Sequence, residues 1–437
     1  MLQYPTFVQF NFPLDTFLKM KAEAEKIRDV SDQLLALTEH VKILRNIAWP
    51  ESVERDFFAN KAQKLPQVQY IPYDAEPVIH AITQTRKSIK DTPHIKKYAG
   101  RIANKLESSA RLLAARGTQE FFEHSKNLYG EPSNSLENGS STIIDLATHF
   151  DKLFERYKDE DLGAPDEAHV SAQNLAAAMQ DAVTTMFGEF APEVVMDPNL
   201  ASNALAGRRR ISIRPDAKFT DKDIGQLIHH EAYVHVATSI NGYLQPNLGI
   251  MVEGHAGTTS TQEGLAVFAE FITGNIDLDR LRRLSDRVIA IQHAIDGADF
   301  IDVYRFFLER TDRPSQSFQN AKRVFRGGVM SGGAPFTKDI VYLEGLTDVH
   351  NFLRLAVAKG KFDYLDLLFA GKLNIADLPT LKTLSEMGLV EAPRFVPPWI
   401  KDKRFLISYL SYSSFLTSFD ASLSSPFYEK IFDKYDD

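Results

Sequence analysis

The stretch Thr220-Asp221-Lys222-Asp223-Ile224-Gly225-Gln226-Leu227-Ile228-His229-His230-Glu231-Ala232-Tyr233-Val234-His235 decides how this chain is read. Thr220 followed by Asp223 forms an N-terminal helix signature, and Ile224, Leu227, Ile228 and Tyr233 supply apolar positions before Asn241-Gly242, which marks the expected end. Within that helix, a histidine and glutamate followed by a second histidine are the residue types of a zinc hydrolase: two imidazoles hold the metal while the carboxylate between them handles a proton. The common motif H-E-x-x-H places its histidines at i and i+4, on one helical face. Here, His230 and His235 stand at i and i+5. At about 100° per residue a regular α-helix turns the second histidine well off the face of the first. The spacing therefore predicts a π-type bulge, a rare feature that concentrates at functional sites.

A third ligand is expected downstream, in Ser260-Thr261-Gln262-Glu263-Gly264-Leu265-Ala266-Val267-Phe268-Ala269-Glu270-Phe271, which reads as a second amphipathic helix ending near Gly274. Glu263 would complete a His, His, Glu set, and Gly264 beside it would allow close helix packing. Taken alone, Ser260-x-x-Glu263 is equally a capping box. Glu270, two turns on along the same face, competes as a ligand or as a partner that orients a histidine. His255, in the loop before this helix, is an accidental candidate of the kind usually solvated.

Upstream, the alternation of Arg210-Ile211-Ser212-Ile213-Arg214 before Pro215 reads as an edge strand that could take substrate backbone by strand addition. With Val194-Val195-Met196 it reads as a small hairpin. Elsewhere helix dominates, with periodic apolar positions over 14–47, 75–90, 95–116, 142–158, 165–187, 278–295, 299–311, 315–326, 338–344, 347–359 and 375–387. Phe405 to Phe419 reads as core. These patterns predict an α+β fold, predominantly α-helical. A helical N-terminal region (1–190) leads into a zinc-metallopeptidase catalytic region with a small β element (191–437), and the two also read as one continuous domain.

Composition agrees with a globular enzyme: 437 residues, 44% hydrophobic and 25% charged. Fifty basic against 58 acidic residues, a net charge of -8, leave no basic footprint for nucleic acid. The absence of cysteine restricts any metal to nitrogen and oxygen ligands and fits a reducing compartment. No basic leader and no run of about 18 apolar residues is found, so a cytoplasmic location away from membranes is expected.

Gln262-Glu263-Gly264-Leu265-Ala266, downstream of His-Glu-x-x-x-His and of Asn241-Gly-Tyr-Leu-Gln245-Pro246, resembles the QEGLA-motif family, also labelled flavohaemoglobin expression-modulating. These are bacterial relatives of the eukaryotic microtubule-associated tyrosine carboxypeptidases, which remove the C-terminal tyrosine of α-tubulin. Further landmarks are Gly117-Thr118-x-x-Phe121, Leu128-Tyr129-Gly130, Arg326-Gly327, Phe336-Thr337-Lys338-Asp339-x-x-Tyr342-Leu343-x-Gly345 and either Gly360-Lys361 or Gly371-Lys372. The resemblance implies that His230, His235 and Glu263 bind one Zn2+ and that Glu231 is the general base. Tyr342, Lys338 and Tyr233 are candidate donors to the oxyanion, and an arginine suits a substrate's terminal carboxylate because its fork pairs both oxygens. Arg326 is the first choice and Lys338 the second, with Tyr342 beside them. The expected activity is removal of a C-terminal, aromatic residue from a peptide or protein. An aminopeptidase or dipeptidyl-peptidase, which can share the i, i+5 spacing, and a non-catalytic regulatory module are the alternatives.

Overall fold

The computed structural model describes residues 14–136, 139–162, 168–198, 200 and 203–418. The start of the helix expected over 165–187, the N-terminal ten residues and Phe419 lie outside the described residues. Helices make up most of the fold, and the sequence expectations hold closely for 76–90, 96–114, 143–156, 278–295, 300–311 and 314–325. The 14–47 segment is divided into a helix over Leu14–Thr38, a 3-10 turn over Glu39–Val41 and a short helix over Ile43–Asn46.

Among the described residues, five short strands complete the α+β architecture: β1 (Val170–Ser171), β2 (Glu193–Met196), β3 (Ala204–Ala206), β4 (Arg210–Ile213) and β5 (Lys218–Phe219). β1 pairs with β5, and the other three form a sheet in the order β2-β4-β3. Two expectations are corrected here. β2 and β4 pair in parallel, so they are not a hairpin; the hairpin is β3–β4, closed at Gly207, whose N–H donates to Arg210 O at 2.8 Å. The connection from Met196 to Arg210 is long enough to hold a third strand. β4 is consequently central, with both edges paired, and cannot accept a substrate strand. Its Ile211 and Ile213 are fully buried, which a central position explains.

Among the described residues, two large apolar clusters hold most of the core; the helix Val341–Ala358 joins both, and the helix Thr259–Ile272 packs against it. Leu265, Phe268, Ile272, Val349 and Leu353 join one cluster, together with Ile27, Ile82 and Leu106 of the N-terminal helices. Val341 and Leu343 join the other, with Phe121, Phe300 and Phe325. The two helices cross at glycines: a Cβ at Gly264 would fall 2.2 Å from Gly345 O, and one at Gly345 would fall 2.2 Å from Ser260 O. Gly345 therefore lies inside one continuous helix, where two helices (338–344 and 347–359) were expected. The glycine serves close packing and does not break the helix.

Phe405 to Phe419 is only partly core. In the helix Lys403–Ser418, Leu406 and Leu410 are buried, whereas Phe405, Tyr412 and Phe415 are exposed. Among the described residues, no helix is long and apolar enough to cross a membrane.

Candidate metal centre

The capping box at Thr220 forms as the sequence predicts: its hydroxyl accepts from Asp223 N–H, and the Asp223 carboxylate accepts from Thr220 N–H. An α-helix runs from Asp221 to Leu227, and then the chain changes to a π-helix over Ile228–Val236 before resuming as an α-helix over Ala237–Leu244. The bulge expected between the histidines is thus a full π segment. Its wider turn puts residues five apart on one face, so the His230 and His235 rings meet edge to face at 4.9 Å. Ala232 and Val236 pack against Met179, Val183, Phe187 and Ile211, and Val234 enters the main core. Burial on both sides holds a helix form that hydrogen bonding alone disfavours.

The helix ends later than Asn241-Gly242. Gly242 lies in its last turn because a Cβ there would strike Met251 O at 2.1 Å, so the residue is small for packing.

Glu263 approaches from the neighbouring helix. The cap at that helix start is Thr258, without a side-chain bond, so the capping-box reading of Ser260 and Glu263 does not hold. The carboxylate instead points at the histidines: Glu263 Oε2 is 3.7 Å from His230 Nε2 and 3.7 Å from His235 Nε2. One ligand atom from each residue lies within 4.8 Å of the others, so this group could hold a metal ion. A tetrahedral ion with bonds of about 2.0–2.2 Å separates its ligand atoms by about 3.4 Å, so the three donors fit with small side-chain adjustments. Two imidazoles and a carboxylate suit zinc among the common divalent ions.

The competition between Glu263 and Glu270 resolves in space. Glu270 is fully buried, and its Oε1 lies 2.7 Å from His230 Nδ1, on the ring edge away from Glu263. Arg280 holds the same carboxylate through Nε to Oε2 and NH2 to Oε1, both at 2.9 Å. Glu270 thus fixes the orientation and tautomer of His230 and leaves Nε2 available. Burial opposes the charge on each acid. For Glu270, Arg280 and His230 outweigh burial and bring the pKa down to about 2. For Glu263, Lys338 and the two histidines hold it well below the ordinary carboxylate range. Burial likewise opposes protonation of His230, but Glu263 and Glu270 raise it well above its usual value, so the pocket favours positive charge at that ring.

The other expected residues divide. Lys338 is buried, with Nζ 3.4 Å from Glu263 Oε1, and it lies over the Tyr342 ring at 5.2 Å. Arg287 lies over the same ring at 5.3 Å, so two cations flank Tyr342 within about 5 Å of its ring. Arg326 lies 5.7 Å from the Phe336 ring, and its buried Nε has no hydrogen-bond partner. Burial, with Arg323 nearby, pulls its pKa down to about 10. Tyr233 packs instead in the cluster around Phe187, edge-on to His229 at 5.2 Å. His255 is outside the His, His, Glu group; its Nδ1 accepts from Gly257 N–H at 3.1 Å.

Sequence reasoning missed Arg280, Arg287 and Arg323. Arg323 pairs with both oxygens of Asp339, at 2.5 and 2.9 Å, and Arg287 reaches the same carboxylate at 3.9 Å. Arg280, Arg283 and Arg287 share one face of the helix Leu278–Ile295, a spacing that reads from sequence as a solvated stripe.

A family model described as microtubule-associated tyrosine carboxypeptidase matches residues 55–418, most of the chain. The chain belongs to that family. The matched span holds the π segment, the Glu263 helix and the Arg287–Arg323–Arg326 cluster, so the site described above lies wholly within the tyrosine carboxypeptidase homology. A comparison with curated proteins finds no match.

Proposed function

We propose that the protein is a zinc-dependent metallocarboxypeptidase of the His-Glu-x-x-x-His type that removes a C-terminal residue, aromatic by preference, from a peptide or protein. The observation that carries the reading is the π segment that brings His230 and His235 to one carboxylate of Glu263, with Glu231 between them in sequence. In it, His230, His235 and Glu263 hold the metal. A bound zinc would act as a Lewis acid and bring the pKa of water towards about 7.

Glu231 takes a proton from the attacking water and passes it to the leaving amine as the C–N bond breaks. Tyr342 and Lys338 are donors to the substrate's oxygens, both to the developing oxyanion and to the terminal carboxylate. Arg326 is the principal carboxylate anchor. Supporting this, Arg287, Arg323, Arg326 and Lys338 lie together against Asp339 and Glu263, a surplus of positive charge in a largely buried region. Such a surplus suits an anionic ligand and repels the α-ammonium that an aminopeptidase must hold.

The test is a peptide library with free or amidated C-termini, read by mass spectrometry with wild type and Glu231→Gln. Wild type is expected to shorten only the free-carboxylate peptides by one residue, and Glu231→Gln to cleave none while retaining metal. Equal cleavage of amidated peptides would reject the carboxypeptidase assignment.

A further inference from the structure

The segment Asn241-Gly-Tyr-Leu-Gln245-Pro246-Asn247 contributes nothing to the metal cluster, yet the amide side chains of Asn241, Gln245 and Asn247 are buried and hydrogen-bonded. Asn241 donates to Phe369 O at 2.8 Å and to Phe395 O at 2.6 Å, and accepts from Phe395 N–H at 3.0 Å. Gln245 donates to Ala370 O and Glu391 O, each at 3.0 Å, and accepts from Glu391 N–H at 2.9 Å. These bonds fasten the 369–371 loop to the end of the helix that carries His230, Glu231 and His235. Gly371 then packs so closely that a Cβ would fall 2.6 Å from Met251 Cβ and 3.1 Å from Gly242 Cα, and Lys372 N–H donates to Met251 O at 2.7 Å.

The clamped loop delivers one cation. Lys372 runs across Gly254, its Nζ 3.9 Å from where a Cβ on that glycine would stand, and its charge lies in the field of Glu231, Glu253 and Glu263. Among the described residues its ammonium has no hydrogen bond and no ion pair within 4.0 Å. Lys338, by contrast, is paired with Glu263. A partly buried ammonium held by so rigid a loop and left unpaired is an arrangement that suits a ligand oxygen.

We propose that Lys372 is a further catalytic residue, donating a hydrogen bond to the carbonyl oxygen of the scissile peptide, and that Asn241 and Gln245 are its positioning residues. The proposal rests on the peptidase reading above. As the water oxygen bonds to the carbonyl carbon, Glu231 removes one water proton and the carbonyl oxygen gains negative charge. When the C–N bond breaks, the electron pair goes to the amine nitrogen with the proton from Glu231, and the carbonyl is restored in the product carboxylate. Lys372 meets the charge that exists only between those two events, so its contribution falls on kcat.

The experiment uses the zinc-loaded full chain and a decapeptide ending in tyrosine. Lys372→Met is expected to lower kcat by about 100-fold or more, the usual cost of one oxyanion donor, with KM within about threefold, and with zinc content and Tm unchanged. Lys372→Arg should restore part of the rate. A phosphinate pseudopeptide, which mimics the tetrahedral carbon, should bind Lys372→Met more weakly by a similar factor, while the product peptide binds as before. In the Lys372→Met background, Gln245→Ala should cost nothing further in kcat, since it acts through the lysine. Wild-type kcat in Lys372→Met, or a loss confined to KM, would overturn the assignment and leave the peptidase reading intact. A wild type that cleaves no peptide, with Glu231→Gln indistinguishable from it, would overturn both.

Discussion

Replacing Glu270 with glutamine tests how the site holds His230. Both oxygens of this carboxylate accept: Oε1 from His230 Nδ1–H and Arg280 NH2, and Oε2 from Arg280 Nε. A carboxamide has one oxygen and one NH2, so whichever way it turns, a donor faces a donor. At least one hydrogen bond to a charged group is lost, worth about 1.5–3 kcal/mol, and His230 is no longer fixed with Nε2 towards Glu263. Removing such an orienting partner costs about 10- to 100-fold in metal affinity, or about 1.4–2.7 kcal/mol.

The same change alters the acid limb of stability in the metal-free protein. The folded pKa of Glu270 is depressed from 4.5 to about 2, so its stabilisation is complete above 4.5 and is lost as pH falls towards 2. Glu270→Gln should lower Tm near neutral pH and flatten that limb. The assay is zinc competition against a chromophoric chelator, alongside thermal melts from pH 2 to 7. Zinc affinity within twofold of wild type, in a variant that folds, would refute the role given to Glu270.

Two further outcomes follow from packing and burial. Gly264→Ala places a methyl 2.2 Å from the Gly345 carbonyl, a backbone atom that cannot move without separating the two central helices. The expected loss is about 1–3 kcal/mol or more, read as a lower denaturation midpoint, with zinc binding weakened because Glu263 shifts with the helix. Glu344, raised to about 7 by burial and by Asp348, is protonated in the fold when the unfolded chain already ionises it above 4.5, so stability falls between those pH values. Glu344→Gln should abolish that fall and raise stability at pH 8 by about 3 kcal/mol, measured by urea melts.

Much of the site was legible in the sequence because its chemistry is local. The spacing of His230 and His235 already required a π-type turn, and the Thr220 cap set where the helix began. What the sequence could not show was decided by distant partners. Nothing local distinguishes Glu263 as a cap from Glu263 turned towards two imidazoles, or makes β4 central rather than an edge. Gly345 carries the same local signal whether it breaks a helix or admits a neighbouring one. Arg280 and Arg287 have the spacing of a solvated helix face, and only the placement of Glu270, Asp339 and Tyr342 reveals that this face is turned inward, where Arg323 of the helix Pro314–Phe325 meets the same Asp339. Lys372 is the extreme case, since its position depends on hydrogen bonds from Asn241 and Gln245, more than a hundred residues away.

The most direct test of the central claim is the anomalous signal at the zinc absorption edge from crystals of the zinc-loaded protein. One peak per chain is expected, about 2.0–2.2 Å from His230 Nε2, His235 Nε2 and one Glu263 oxygen, with Glu270 still on His230 Nδ1. A peak ligated by Glu270 in place of Glu263, or one that reaches only one of the two histidines, would contradict it.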